Sequence, residues 1–303
     1  MVIIQVAGGL GNQLQQYALY KKFVSLGVEA RLDVSWFEDE KICKRGNEAK
    51  ITSRKLELEY FDRLIYETCT KEEKEALIGS DNLAGKLRRK LLPFTVHWFK
   101  ESAMYHPEIF ALENMYISGY FACEKYYADI LYDLRQKIQF PKSSNPVNIE
   151  LAKNMKVCES VSVHIRRGDY LSPENAEMFG NICTEKYYEG AINLIKENCK
   201  NPHFYLFSDD ISYAKERFPG QEYTVVDINH GNDSFYDIWL MSQCRHNICA
   251  NSTFSFWGAR LNENEDKMMI RPTIHKNSQT FKKEEMEELW KGWIFVSPDG
   301  QLK

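Results

Sequence analysis

Val161-Ser-Val-His-Ile-Arg-Arg-Gly-Asp-Tyr170 decides the reading of this chain. Val161, Val163 and Ile165 alternate with Ser162, His164 and Arg166, the two-residue period of a β-strand. Arg167-Gly168-Asp169 is a turn signal, so the strand delivers two adjacent arginines to its carboxyl end. In an open α/β sheet that end is where ligands bind. A guanidinium presents a planar fork of donors that fits phosphate and keeps its charge at any working pH. A lone strand-end arginine is usually one half of a surface ion pair of little worth. An Arg-Arg-Gly-Asp turn with His164 two residues upstream reads instead as an anion site.

Strands and helices alternate outward from this stretch. Thr184 predicts the N-cap of a helix running to Lys196. His203–Phe207 is a strand ending at Ser208-Asp-Asp210, and Tyr223–Ile228 is the next, followed by a helix from Ser234 to Gln243. His246–Ala250 is a strand that opens into Asn251-Ser-Thr-Phe-Ser-Phe-Trp257 and a helix, and Lys267–Arg271 is one more strand. The first half begins with a buried strand, Val2–Ala7, then the turn Gly8-Gly-Leu-Gly-Asn-Gln13, a helix through Gln15–Val24, and a strand at Ala30–Ser35. From Glu38 to about Lys100 the sequence is charged and reads as mostly helical, and Met115–Phe121 is a strand that closes the half. Phe140-Pro-Lys-Ser-Ser-Asn-Pro146 reads as a linker. The expectation is an α/β chain of two Rossmann-like lobes, residues 1–145 and 146–303, with a ligand cleft between them.

The first turn sets a trap, because Gly9-x-Gly11 with Asp33 some twenty residues on resembles a dinucleotide fingerprint. Its third glycine position is Leu14, and Asn12-Gln13 places two amides in the turn. A nicotinamide site is therefore not expected.

At 303 residues the chain is long for one core. Its 44% hydrophobic and 13% aromatic residues suffice for packed cores. A net charge of −4, from 39 basic and 43 acidic side chains, argues against nucleic acid as the main partner. The eight cysteines form no Cys-x-x-Cys pair and are scattered through expected strands and helices, as in a reduced cytosolic protein without a zinc site. The chain starts directly on a strand, and no apolar run approaches the roughly 20 residues of a membrane helix. A cytoplasmic protein without a transmembrane segment is the expectation. Lys86-Leu-Arg-Arg-Lys-Leu-Leu-Pro93 is the most basic portion. It reads either as a patch for anionic lipid or a lipid-linked substrate, or as a solvated helix face, which its shortness favours.

Polar groups gather at the strand ends of the second half: His164 with Arg166 and Arg167, Asp209 with Asp210, Asp237 on the following helix, and Ser252-Thr253-Phe254. Hydroxyls and free N–H groups at a helix start make an anion cradle, although Ser-Thr taken alone is an ordinary N-cap. Asp209-Asp210 would suit Mg²⁺ or Mn²⁺, but the arginines already carry the charge a diphosphate needs. Those aspartates are expected to cap the next helix or to touch a ribose, with no metal bound.

Gly8-Gly-Leu-Gly-Asn-Gln13, His164-Ile-Arg-Arg-Gly-Asp-Tyr170, Phe207-Ser-Asp-Asp210 and Asn251-Ser-Thr-Phe-Ser-Phe-Trp257 together resemble the α-1,2-fucosyltransferases of glycosyltransferase family 11. The resemblance implies a GT-B fold, with two Rossmann-like lobes facing a central cleft. It implies GDP-fucose as donor, inversion at the sugar carbon, no metal or other cofactor, and the 2-hydroxyl of a terminal β-galactoside as acceptor. The lack of a membrane anchor resembles the bacterial members that build O-antigen or other surface glycans, acting on free or lipid-linked acceptors in the cytoplasm or at the inner membrane face. By the same resemblance Arg166 meets the donor β-phosphate, with His164, Asp209 and Phe254 around the donor. Asp237 reads guanine, and Ser252 and Thr253 hold the diphosphate. The turn Gly9, Gly11, Asn12 and Gln13 faces the acceptor, with Asn12 reaching the reacting oxygen. Gln15-Gln16 departs from the aromatic usual after the glycine turn. No base stands out: Asp169 and Glu174 are nearby candidates, and Asp169 can equally cap its own turn. The competing readings are a GT-B transferase using another sugar nucleotide, and an inactive glycan- or nucleotide-binding module.

Overall fold

The computed structural model describes residues 1–38, 55–80 and 82–303. The chain forms two compact units, Met1–Gln139 and Phe140–Lys303.

The first unit holds a parallel sheet in the order β2-β1-β4-β3, made of β1 (Val2–Gln5), β2 (Ala30–Asp33), β3 (Trp98–Lys100) and β4 (Met115–Ser118). Val2 pairs with Ala30 on one side and Met115 on the other. The helix Leu10–Ser25 follows β1 and is buried on nearly every side, including Gln13, Gln15 and Gln16. Of the span from Glu38 to Lys100 read as mostly helical, residues 39–54 and 81 lie outside the described residues. The rest carries helices Lys71–Ile78 and Leu83–Leu91, but also β3, which the charged composition hid. That strand is placed by its tryptophan: Trp98 Nε1 donates to Ser118 Oγ at 2.8 Å, and Lys100 lies over the Trp98 ring. Asp33 is spent inside the unit, accepting from the Tyr116 hydroxyl (2.6 Å) and pairing with Lys74 (3.0 Å). It is not a ribose ligand in waiting.

The second unit is a six-stranded parallel sheet in the order β10-β9-β8-β5-β6-β7. Its strands are β5 (Ser160–Ile165), β6 (His203–Ser208), β7 (Tyr223–Val226), β8 (His246–Ile248), β9 (Met269–Pro272) and β10 (Trp293–Val296). The last of these has no counterpart in the sequence reading. The alternation of β5 sorts its side chains onto two faces. Val161, Val163 and Ile165 join Phe204, Leu206, Tyr187 and Ile195 in one core, beneath the helix Glu185–Asn198. On the other face Tyr205 and Phe207 pack with Leu240 and Met241 of the helix Phe235–Gln243, and with Met155 of the helix Pro146–Val157. Each such buried side chain contributes roughly 1.5–3 kcal/mol. Thr184 caps its helix as expected, accepting from Tyr187 N at 3.2 Å.

Candidate functional site

Renumbered within the unit, the second sheet runs 3-2-1-4-5-6, with β5 as strand 1 and β8 as strand 4. The strand order therefore reverses between β5 and β8, and a crevice for a ligand opens at their carboxyl ends. The residues just past β5 are Arg166 and Arg167, and those past β8 lead into Asn251 and Ser252.

The register explains what holds the arginines. His164 pairs with Phe207 and Ile165 with Ser208, so continuing the ladder sets Arg166 beside Asp209 and Arg167 beside Asp210. Arg166 Nη1 lies 2.8 Å from Asp209 Oδ2, and its Nη2 lies 2.6 Å from Asp169 Oδ1. Arg167 Nε meets Asp210 Oδ2 at 3.1 Å, and the guanidinium lies 3.7 Å from the Tyr213 ring centre. Asp209 Oδ1 also accepts from Arg167 N at 2.9 Å. Asp210 caps the helix Ile211–Arg217 by accepting from Tyr213 N at 3.0 Å. Those helix and arginine bonds hold its carboxyl below the usual range.

Nη1 and Nη2 of Arg166 each face one carboxylate, and a guanidinium carries five N–H donors, so the fork can still reach a ligand oxygen. Arg167 is engaged in the turn through its Nε bond to Asp210 and its contact with the Tyr213 ring. Gly168 is required by close approach: a Cβ there would sit 2.7 Å from Asp209 Oδ2. Gly168→Ala should displace that carboxylate and tilt Arg166. Turnover is expected to fall by up to about 10²-fold, the usual cost of a small misplacement, with the circular dichroism spectrum unchanged. Wild-type turnover in Gly168→Ala would detach Asp209 from the site.

Across the crevice, Tyr170 ties the two strand ends together by donating its hydroxyl to Asn251 O at 2.9 Å. Burial pushes the phenol pKa well up, so it remains a neutral donor. Asn251 is buried and bridges by Nδ2 to Phe179 O (3.1 Å) and His275 O (3.2 Å). Ser252 is the N-cap residue of the helix Thr253–Leu261, yet its side chain makes no capping bond. The plain capping role is thus absent, and the hydroxyl stands at the helix start where an anion is favoured. Thr253 and Phe254 open the same helix, with the Phe254 ring 5.7 Å from that of His164. His164 is buried, and its Nδ1 has no partner among the described residues. Burial, with Arg166 adding repulsion, drives its pKa down to about 3, so the ring is neutral.

Asp237 lies in the first turn of the helix Phe235–Gln243. That helix enters β8 from β7 and so begins at the same carboxyl edge. Asn229 Nδ2 donates to Asp237 Oδ1 (2.8 Å) and to Asn148 Oδ1 (3.0 Å), and Asn148 Nδ2 returns a bond to Asn229 Oδ1 (2.7 Å). Burial raises the Asp237 pKa to about 7, opposed by the Asn229 bond and reinforced by Asp227. The sequence reading did not mark Asn148 and Asn229, since eighty-one residues separate them. Nor did it mark Tyr170 and Asn251 as site groups, although both stand in the quoted motifs.

In the first unit the glycine turn occupies the equivalent place, beside the reversal between β1 and β4. Gly8 has φ +85°, and a Cβ there would lie 2.7 Å from Asn12 Nδ2. Gly9 is the N-cap residue of the helix, and Gly11 and Asn12 lie in its first turn. Gln13 is committed to backbone: Nε2 donates to Gly8 O (3.0 Å) and Lys55 O (2.8 Å), and Oε1 accepts from Glu57 N (2.8 Å). Gln16 accepts from Ala7 N (3.0 Å) and donates to Gly119 O (2.8 Å). The Gln16 bonds account for an amide at one of the two positions, Gln15-Gln16, where an aromatic is usual.

A His/Cys/carboxylate group, Glu159, Cys199 and His246, sits at the opposite, amino edge of the second sheet. His246 Nδ1 accepts from Met268 N (3.0 Å) while Nε2 faces Glu159 Oε1 (2.7 Å). The ring proton is therefore on Nε2, which does not suit a metal there.

Two Rossmann-type units in one chain, the second with an arginine at its switch point, are the architecture of the GT-B fold class. The model of glycosyl transferase family 11 matches residues 101–297, and the chain belongs to that family. It is 30% identical to an alpha-1,2-colitosyltransferase of Escherichia coli over 90% of this chain and 91% of the relative. It is 32% identical to the O-antigen biosynthesis glycosyltransferase WbnK of Escherichia coli over 88% and 92%. Galactoside alpha-(1,2)-fucosyltransferase 2 of Bos taurus is 28% identical over 38% of this chain and 34% of its own length. Among solved structures, fucosyltransferase NodZ from Bradyrhizobium is similar at a TM-score of 0.44 and 11% identity, covering 85% of this chain and 91% of that one. Among the described residues no helix is long and apolar enough to cross a membrane.

Proposed function

We propose that the chain is an inverting, metal-independent α-1,2-fucosyltransferase that moves L-fucose from GDP-fucose to the 2-hydroxyl of a terminal β-galactoside during surface-glycan synthesis. The observation that carries this reading is Arg166, held by Asp169 and Asp209 at the β5/β8 crevice with donors to spare. The diphosphate would lie between Arg166 and the start of the helix at Ser252 and Thr253, with His164 and Phe254 forming the wall. The acceptor oxygen attacks the sugar carbon from the face opposite the diphosphate, that carbon's bond to the β-phosphate oxygen breaks, GDP leaves with the negative charge, and the acceptor hydroxyl's proton passes to solvent. Arg166 meets that charge as it grows. Asn12 in the first unit is proposed to steady the attacking oxygen. Asp169 is spent on Arg166, so we assign it to orientation of the guanidinium ahead of proton removal.

Asp209 and Asp210, the carboxylates best suited to a divalent ion, are engaged with arginine and a helix N–H. Turnover is therefore expected to persist in excess EDTA. Loss of activity that Mn²⁺ restores would return this pair to the role of ligands. The donor sugar has a second reading, because the colitosyltransferase relative matches over nearly the whole chain. Colitose is fucose without its 3-hydroxyl, so one nucleotide site could take either. The test runs GDP-fucose and GDP-colitose in parallel against β-galactoside acceptors and assigns the product linkage by NMR. Turnover of neither donor, with GDP still bound, would reduce the chain to a binding module.

A further inference from the structure

Helix Leu83–Leu91 shows an unusual division of faces. Its inner side is fastened to the unit: Asn82 Oδ1 accepts from Gly85 N at 2.9 Å, and Gly85 lies so close to Ser80 that a Cβ would fall 1.8 Å from Ser80 O. Arg88 donates to Thr95 Oγ1 (3.1 Å) and Thr95 O (2.7 Å). Arg89 donates to Ile78 O (3.1 Å) and Ser80 O (3.0 Å). These anchors fix the opposite side outward. There Leu83 is 85% exposed, Leu87 56% and Leu91 62%, followed by Leu92 at 46% and Phe94 at 81%. Leucines at i, i+4 and i+8 form one ridge on a helix. Lys86 and Lys90, both exposed, run along its flank.

We propose that this face docks the protein onto an anionic phospholipid bilayer. Charge complementarity selects the partner: the outward face carries Lys86 and Lys90, and residues 82–100 hold no acidic side chain, in a chain whose net charge is −4. The apolar ridge selects a membrane over an acidic macromolecule, since a purely ionic partner gains nothing from exposed leucines. An interfacial helix lays such a ridge into the headgroup–acyl boundary while lysines reach back to the phosphates. A second copy stacked face to face would set the same lysines against one another. Nine residues lie on a bilayer and do not span it. The exposed leucines are what this proposal sets against the solvated-face reading of the short basic run.

The test sediments the full chain with phosphatidylcholine vesicles, with and without phosphatidylglycerol. Binding is expected only to the anionic vesicles and should weaken near 1 M salt, where the screening length shrinks to about 3 Å. Lys86→Glu/Lys90→Glu should lower binding at least about 25-fold, at roughly fivefold per basic residue near the surface. Leu87→Gln/Leu91→Gln should lower it by about 10²-fold through lost apolar burial. Both pairs are surface changes and should keep the wild-type melting temperature. Leu83→Gln/Phe94→Gln provides the same reading should either pair fail to fold. Failure of the wild type to sediment, or equal binding to neutral vesicles, overturns the proposal. Leucine variants that bind as wild type would assign the patch to a purely ionic partner, and a dimer in solution that they dissolve, without vesicle binding, would assign it to a second copy.

Discussion

Arg166→Lys is expected to lower kcat by about 10²–10³-fold, the usual consequence of losing one donor aimed at developing charge. As the bond between fucose and the diphosphate breaks, negative charge builds on the β-phosphate, so a fixed cation there stabilises the transition state more than the ground state. Lysine keeps the charge but not the fork. It cannot hold Asp169 at 2.6 Å and Asp209 at 2.8 Å with separate nitrogens, as Arg166 does, while still presenting N–H groups to the ligand. GDP affinity should change less than kcat in this variant, because Ser252 and Thr253 remain. Arg166→Ala should be worse in both quantities. It leaves two carboxylates without their counter-ion in the path of a diphosphate, and pairing it with Asp209→Asn should recover part of the GDP affinity. An arginine that only packs makes the opposite forecast, a lower melting temperature with near-normal rates per folded molecule. The measurement is kcat and GDP affinity corrected for the folded fraction. A lysine variant within a few-fold of wild type would sink the role. Arg167, already shared between Asp210 and the Tyr213 ring, should matter less.

The arginine turn was legible because strand periodicity is local: six alternating residues suffice to show a strand and where it ends. Its partners were legible in principle as well. Arg166-Arg167 and Asp209-Asp210 stand at the ends of successive strands, and a parallel register of His164 with Phe207 pairs them one to one. Reading the aspartates as a helix cap or a ribose contact captured Asp210 and missed that Asp209 holds the arginines. Strands β3 and β10 were hidden for a different reason. Both are short, three and four residues, and edge strands of that length carry too few alternations to stand out from helical or loop sequence. The buried amides Gln13 and Gln16 also escaped the pattern, because a polar residue in a helix reads as solvent-facing. Here they face inward because the strand ends and turns around them present backbone groups that need partners. The surroundings of Asp237 could not be read at all. They depend on Asn148 and Asn229, brought together by the packing of the helix Pro146–Val157 against the helix Phe235–Gln243.

GDP affinity should rise with pH up to about 7 and then level off, and Asp237 is the expected cause. In the free protein its carboxyl is held near pKa 7 by burial, with Asp227 adding repulsion and Asn229 giving back part of the cost. His230 Nε2 lies 3.4 Å from Asp227 Oδ1 and supplies no partner to Asp237 itself. The proposed ligand group, guanine, presents two donors, which favour the carboxylate over the acid. Binding therefore draws the proton off, and affinity below pH 7 should fall by about tenfold per unit. The sign for folding is the reverse of the usual aspartate. With the folded pKa above the unfolded value of 3.8, the unfolded chain ionises first, so stability declines from about pH 4 to about pH 7 and is constant above. Asp237→Asn should abolish both slopes, raising stability at pH 8 while weakening GDP at that pH by at least tenfold, since an amide turns a donor toward guanine and each lost bond costs about 1–3 kcal/mol. UDP, which lacks the paired donors, should bind weakly in both forms. Calorimetric titration of GDP between pH 5 and pH 8, alongside thermal melts, separates the possibilities. A flat GDP affinity in wild type, or GDP binding unchanged in a folded Asp237→Asn variant, would remove Asp237 from the nucleotide site and leave its raised pKa as a feature of the Asn148–Asn229 packing alone.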